Sequence, residues 1–147
     1  MLGVLKSLFF FPVAGYFAFF AKIQLRIWKP RVIVITGSSG KTTLFQMIAS
    51  QVGNRAHYSH HANSAIGVPF DILDLHRTTL KPFEWLGLFV KAPGRAFKKP
   101  YNQDLFVVEC DADRPGEGKF LAKLLKPEVT LWISSSRTHS MNFDKLV

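Results

Sequence analysis

Val32-Ile33-Val34-Ile35-Thr36-Gly37-Ser38-Ser39-Gly40-Lys41-Thr42-Thr43-Leu44-Phe45 passes from a β-branched run through a glycine-bearing turn into an apolar stretch that continues to Ala49. A short run of Val and Ile suits a strand buried on both faces of a parallel sheet, and the stretch after the turn suits a helix that Gly53 and Asn54 stop. At such a junction the backbone N–H groups opening the helix point at an anion, and the helix dipole adds favourable potential. Gly37 and Gly40 let the backbone approach phosphate, with Ser38, Ser39 and Thr43 completing the cradle. Lys41 is placed to neutralise β- and γ-phosphates, and the Thr42 hydroxyl to ligate Mg²⁺. The stretch therefore reads as an ATP-binding loop. It departs from the general phosphate-loop pattern in one respect, carrying Ile35 where that pattern has its first glycine.

Working outward, Leu105-Phe106-Val107-Val108 reads as a second buried strand and Val129-Thr130-Leu131-Trp132-Ile133 as a third. Between them, Phe120 to Leu125 reads as a helix that Pro127 ends. Strands alternating with helices indicate an α/β fold with a P-loop-type parallel sheet flanked by helices, incomplete at three strands. Ligands of such sheets sit at the carboxyl ends of the strands, so the residues just after Ile35, Val108 and Ile133 carry the functional interest. Residues 80–100 combine Phe83, Trp85, Leu86, Leu88, Phe89 and Phe97 with Lys81, Lys91, Arg95, Lys98 and Lys99. That mixture reads as a basic amphipathic helix and loop, packed on the sheet or resting on anionic lipid.

The 147 residues suffice for one domain with a real core. A formal net charge of +9 favours polyanionic or phosphorylated partners without choosing among them. Cys110 is the single cysteine, which excludes an internal disulfide and a multi-cysteine zinc site. From Ser7 to Ala21 no side chain is charged, and Lys22, Arg26, Lys29 and Arg31 follow. Residues 1–30 are accordingly expected to form a transmembrane helix, a single-pass N-terminal anchor whose basic flank places the rest at the cytoplasmic face. Residues 31–147 are expected to form the nucleotide-binding domain.

The loop Ile-Thr-Gly-Ser-Ser-Gly-Lys-Thr-Thr (35–43) resembles the Thr-Gly-x-x-Gly-Lys-Thr loop of the Mur ligases, the amide synthetases of peptidoglycan synthesis, which likewise lacks the earlier glycine. Three further blocks follow in the family order, and the first two most resemble its D-alanyl-D-alanine-adding branch. Asn63-Ser64-Ala65-Ile66-Gly67-Val68-Pro69 is similar to Asn-Asn-x-Ile-Gly-Val-Pro, and Glu109-Cys110-Asp111-Ala112-Asp113-Arg114-Pro115-Gly116-Glu117 to Glu-Met-Gly-Ala-x-x-Pro-Gly-Glu. Pro127 to His139 resembles the strand and loop that end in the family's metal-binding histidine.

The resemblance implies that Glu109 and His139 hold Mg²⁺ ions together with Thr42, that Lys41, Glu109 and His139 serve catalysis, and that Asn63 lies near the phosphates and substrate. It also implies that ATP activates a carboxylate as an acyl phosphate, which an amine then attacks. Expected substrates are a UDP-linked muramoyl peptide and D-alanyl-D-alanine, with no nucleic-acid partner. Ser134-Ser135-Ser136 departs from an Asn-containing family stretch, and Asp113, Arg114 and Glu117 also suit a plain helix start. The family's flanking domains and carbamylated lysine have no counterpart before residue 31 or after His139, so the chain is expected to be the front part of a ligase, inactive alone or dependent on a partner chain. A membrane-anchored ligase that builds a glutamate polymer, a non-catalytic nucleotide-binding module and a nucleic-acid-stimulated ATPase are the alternatives.

Overall fold

A computed structural model describes residues 2–59, 62–79, 82–98 and 101–136, with the backbone alone for 2–8 and 82. Its contacts divide the chain into two units, Pro30–Ser64 with Tyr101–Val147 and Met1–Lys29 with Ala65–Pro100.

The first of these is an α/β unit. Strands β1 (Arg31–Thr36), β2 (Ala56–Ser59), β3 (Leu105–Glu109) and β4 (Val129–Trp132) form one sheet in the order β2-β3-β1-β4, with every pairing parallel. Val107 is fully buried on one face of β3 and Phe106 and Val108 on the other, as expected for a parallel strand covered on both sides. Helix α2 (Lys41–Val52) lays Phe45 into a cluster with Ile35, Ala56 and Val107, against which Leu44, Ile48 and Val52 also pack. Glycine ends that helix, since Gly53 takes a left-handed φ of 57° and returns its N–H to the Ala49 carbonyl. A 3₁₀ turn (Gly53–Arg55) then delivers the chain to β2.

The sequence reading missed β2 because Ala56-His57-Tyr58-Ser59 has neither β-branched residues nor clean alternation. Pairing with β3 over the register Ala56↔Leu105 to Ser59↔Val108 makes it a strand, a tertiary contact overriding weak local preference. Beyond β3, α5 (Glu117–Leu125) buries Leu121, Leu124 and Leu125. Its first turn is fixed by the Glu117 carboxylate, which accepts the Arg114 N–H at 3.2 Å.

The helical unit contains α1 (Leu2–Trp28), α3 (Gly67–Ile72) and α4 (Pro82–Ala96). Among the described residues no helix is long and apolar enough to cross a membrane, so the transmembrane helix expected at 1–30 is not found, and the single-pass anchor at the cytoplasmic face falls with it. The uncharged run from Ser7 to Ala21 makes roughly 22 Å of helix, short of the ~30 Å hydrocarbon layer. Protein, moreover, covers one of its faces, while Phe9 and Phe19 stay exposed. Ala14, Phe17 and Ala21 are fully buried at helical spacing, and the Phe17 ring meets Phe70 of α3 edge-on at 4.6 Å and Phe89 of α4 at 4.9 Å. The Tyr16 hydroxyl donates to the Phe89 carbonyl at 2.8 Å. Leu80, Lys81 and Lys99 of the basic stretch lie outside the described residues.

Candidate functional site

Because β1 lies between β3 and β4, the carboxyl ends of three strands meet at one edge of the sheet. Ile35 pairs with Glu109 and Thr36 with Trp132, and the ladder continues past the strands: the Cys110 N–H donates to the Ile35 carbonyl and the Ile133 N–H to the Thr36 carbonyl. All three positions singled out from the sequence are therefore adjacent.

The loop 37–40 leaves this edge and enters α2 through Gly40, whose φ of 83° suits glycine. Lys41 opens the helix with its side chain only 12% exposed; its ammonium donates to the Gly37 carbonyl at 2.7 Å and pairs with the Asp111 carboxylate at 2.9 Å. Asn63 joins the same carboxylate, its Nδ2 donating to Asp111 at 2.5 Å, while the Asp111 N–H returns to the Asn63 carbonyl at 2.8 Å. Asn63 caps no helix. Ser38 and Ser39 turn their N–H groups to the residues after β4: Ser38 donates to the Ser134 carbonyl at 3.0 Å and Ser39 to the Ser134 hydroxyl at 2.9 Å. The Ser136 N–H in turn donates to the Ser38 hydroxyl at 2.8 Å. Thr42 and Thr43 stand exposed in the first turn of α2 and border an open groove of about 430 Å³, lined further along the helix by Gln46, Met47 and Ser50.

Glu109 is 5% exposed, and a buried carboxylate needs partners. The Thr42 hydroxyl faces it at 3.4 Å. A hydroxyl and a carboxylate are hard oxygen donors of the kind Mg²⁺ takes, so Thr42 and Glu109 are the residues that would hold such an ion. The donor set fits. Among the described residues no group of three or more His, Cys, Asp or Glu could hold a metal. His139, expected as a further ligand, lies outside the described residues, as do His60 and His61.

Two residues of this edge carry no role in the sequence reading. Asp111 sits two places after Glu109, but the family segment has glycine there, so no role carried over; its position just past β3 was the available signal. Ser134 was read as a departure from the family, and only folding brings it against Ser38 and Ser39. Cys110, between the two acids, is buried, and that burial, with Asp111, Glu109 and Glu117 nearby, pushes its thiol up to about 12.

No protein-family model matches the chain. It is 30% identical over 119 residues to the UDP-N-acetylmuramoyl-tripeptide–D-alanyl-D-alanine ligase of Escherichia coli, an overlap of 79% of this chain and 21% of that enzyme. It is 26% identical over 118 residues to the ligase of the same name from Buchnera aphidicola subsp. Baizongia pistaciae, covering 78% of this chain and 20% of that enzyme. The crystal structure of MurF from Acinetobacter baumannii superposes with a TM-score of 0.60 at 22% identity, over 89% of this chain and 24% of that one, a likeness of fold. The chain thus spans about a fifth of the length of the curated relatives it matches. With the ordered motifs, the parallel sheet and these relatives in agreement, the chain is similar to the MurF ligases of the Mur family over about a fifth of their length.

Proposed function

We propose that this chain supplies the ATP-binding part of an amide-forming ligase of peptidoglycan precursor synthesis. The observation that carries the reading is the meeting of Lys41, Thr42, Asn63 and Glu109 beside one glycine-bearing loop at the carboxyl edge of the sheet. The loop and the start of α2 would hold the phosphates, and Lys41 would neutralise the transferring phosphoryl group. Thr42 and Glu109 would hold Mg²⁺, with His139 as a further ligand by resemblance; the ion, when bound, offsets phosphate charge. Such a set acts by position and charge and needs no nucleophile of its own. From the names of the relatives, the carboxylate would belong to a UDP-linked muramoyl tripeptide, activated as an acyl phosphate, and the amine to D-alanyl-D-alanine. Because the chain matches about a fifth of those ligases, we assign to it the phosphate-binding share of the reaction, with amide formation requiring further domains or a partner chain.

The test is ligation. A polypeptide in which this chain is joined to the remaining ligase domains, given ATP, magnesium, the UDP-muramoyl tripeptide and D-alanyl-D-alanine, should yield the joined product by mass spectrometry and lose it on Lys41→Ala. Product formed equally well by the Lys41→Ala protein would refute the assignment.

A further inference from the structure

The Lys41 ammonium is the group on this loop best suited to a phosphate, yet it already has a carboxylate partner. Asp111 approaches it at 2.9 Å, with the lysine side chain 12% and the aspartate 28% exposed, so solvent and salt screen the pair less than a surface ion pair. A second anchor holds the aspartate, because its other carboxylate oxygen accepts from the Asn63 side chain and its N–H bonds the Asn63 carbonyl. One carboxylate therefore takes up the cation and an amide donor side by side, as a phosphate oxygen pair would. The geometry points to Asp111 as an internal competitor of phosphate for Lys41, a residue that lowers the affinity of the loop for nucleotide and must release the lysine before the phosphates are gripped. This rests on the nucleotide reading of the loop given above.

Where a competing partner holds the binding group, apparent affinity falls by the fraction of time that the group is free. Asp111→Asn keeps the shape and the acceptor for Asn63 while removing the charge. Titration calorimetry of the 147-residue chain with ATP and with inorganic tripolyphosphate, each with and without magnesium, measures the effect, and a circular dichroism melt verifies folding. Should Asp111→Asn fail to fold, Asp111→Ser serves instead. The variant is expected to bind both probes about tenfold more tightly than the native chain, with or without magnesium. Binding by the variant where the native chain binds too weakly to detect supports the same conclusion. Unchanged or weaker binding by the variant, beside clear binding by the native chain, overturns the proposal and leaves the nucleotide reading standing; a loss confined to the magnesium arm would make Asp111 a cation ligand instead. Failure of both proteins to bind either probe overturns the nucleotide reading, and this proposal with it.

Discussion

At Gly37 a methyl group would lie 2.9 Å from the backbone nitrogen of Ser134 and 3.0 Å from its carbonyl oxygen, and the φ of 135° is one that side-chain-bearing residues rarely adopt. This glycine is therefore what lets the segment after β4 lie against the loop 37–40, a different duty from the approach to phosphate that its place in the motif suggests. Lys41 and Thr42 were legible in the sequence because their chemistry is local to the loop. Asp111 was not, since its meaning comes from a lysine 70 positions earlier that only the sheet brings within reach. Cys110 stood out in the sequence only as the single cysteine, and its environment in the fold yields a prediction. Reaction with a disulfide reagent at pH 8 should be slow in the native protein and complete within minutes after unfolding, because burial and the neighbouring carboxylates hold the thiol protonated up to about pH 12. Rapid labelling of the folded chain would show the site to be open.

The elements divide by where their signal lies. Strands β1, β3 and β4 and helices α2 and α5 announced themselves through β-branched runs, helical spacing and glycine or proline stops, whereas β2 awaited its partner. Helix α1 misled because lipid and a protein core accept the same apolar side chains; the sequence of α1 alone does not say that Phe70 and Phe89 will cover Phe17. Phe17→Ala should accordingly cost about 3–5 kcal/mol in urea-induced unfolding, the range for a fully buried phenylalanine, and a loss below about 1 kcal/mol would contradict this packing. The start of α4 supplies a pH dependence. Glu84 accepts hydrogen bonds from the side chain of Thr79 first, and from the backbone and hydroxyl of Thr78 and the backbone of Thr79, which pulls its carboxyl from 4.5 down to about 2. A depressed carboxyl stabilises the fold fully above its unfolded value and loses that contribution as pH falls through the folded one. Helix α4 should therefore loosen between about pH 4.5 and pH 2, and Glu84→Gln should remove that part of the acid dependence. Identical acid titrations of the two proteins, followed by amide exchange in α4, would argue against a stabilising role for these hydrogen bonds.

Across the whole molecule, the α/β unit carries the proposed chemistry and the helical unit carries the contacts that replace the expected membrane span. The family resemblance was legible because four short blocks keep their order, while the pairing of Lys41 with Asp111 and the seating of Ser134 on the loop depend on a sheet that no single block encodes. The +9 charge also leaves open a polyanion site anywhere on the surface, so the loop must be separated from general basicity. Equilibrium binding of ATP with magnesium to the native chain and to Lys41→Ala, at 50 and 300 mM salt and with thermal melts in parallel, makes that separation. Saturable binding by the native chain should persist at the higher salt, with affinity reduced at least about tenfold in the variant, whose melt verifies that it remains folded. Equal affinities for the two proteins, or binding that salt abolishes in both, would contradict it.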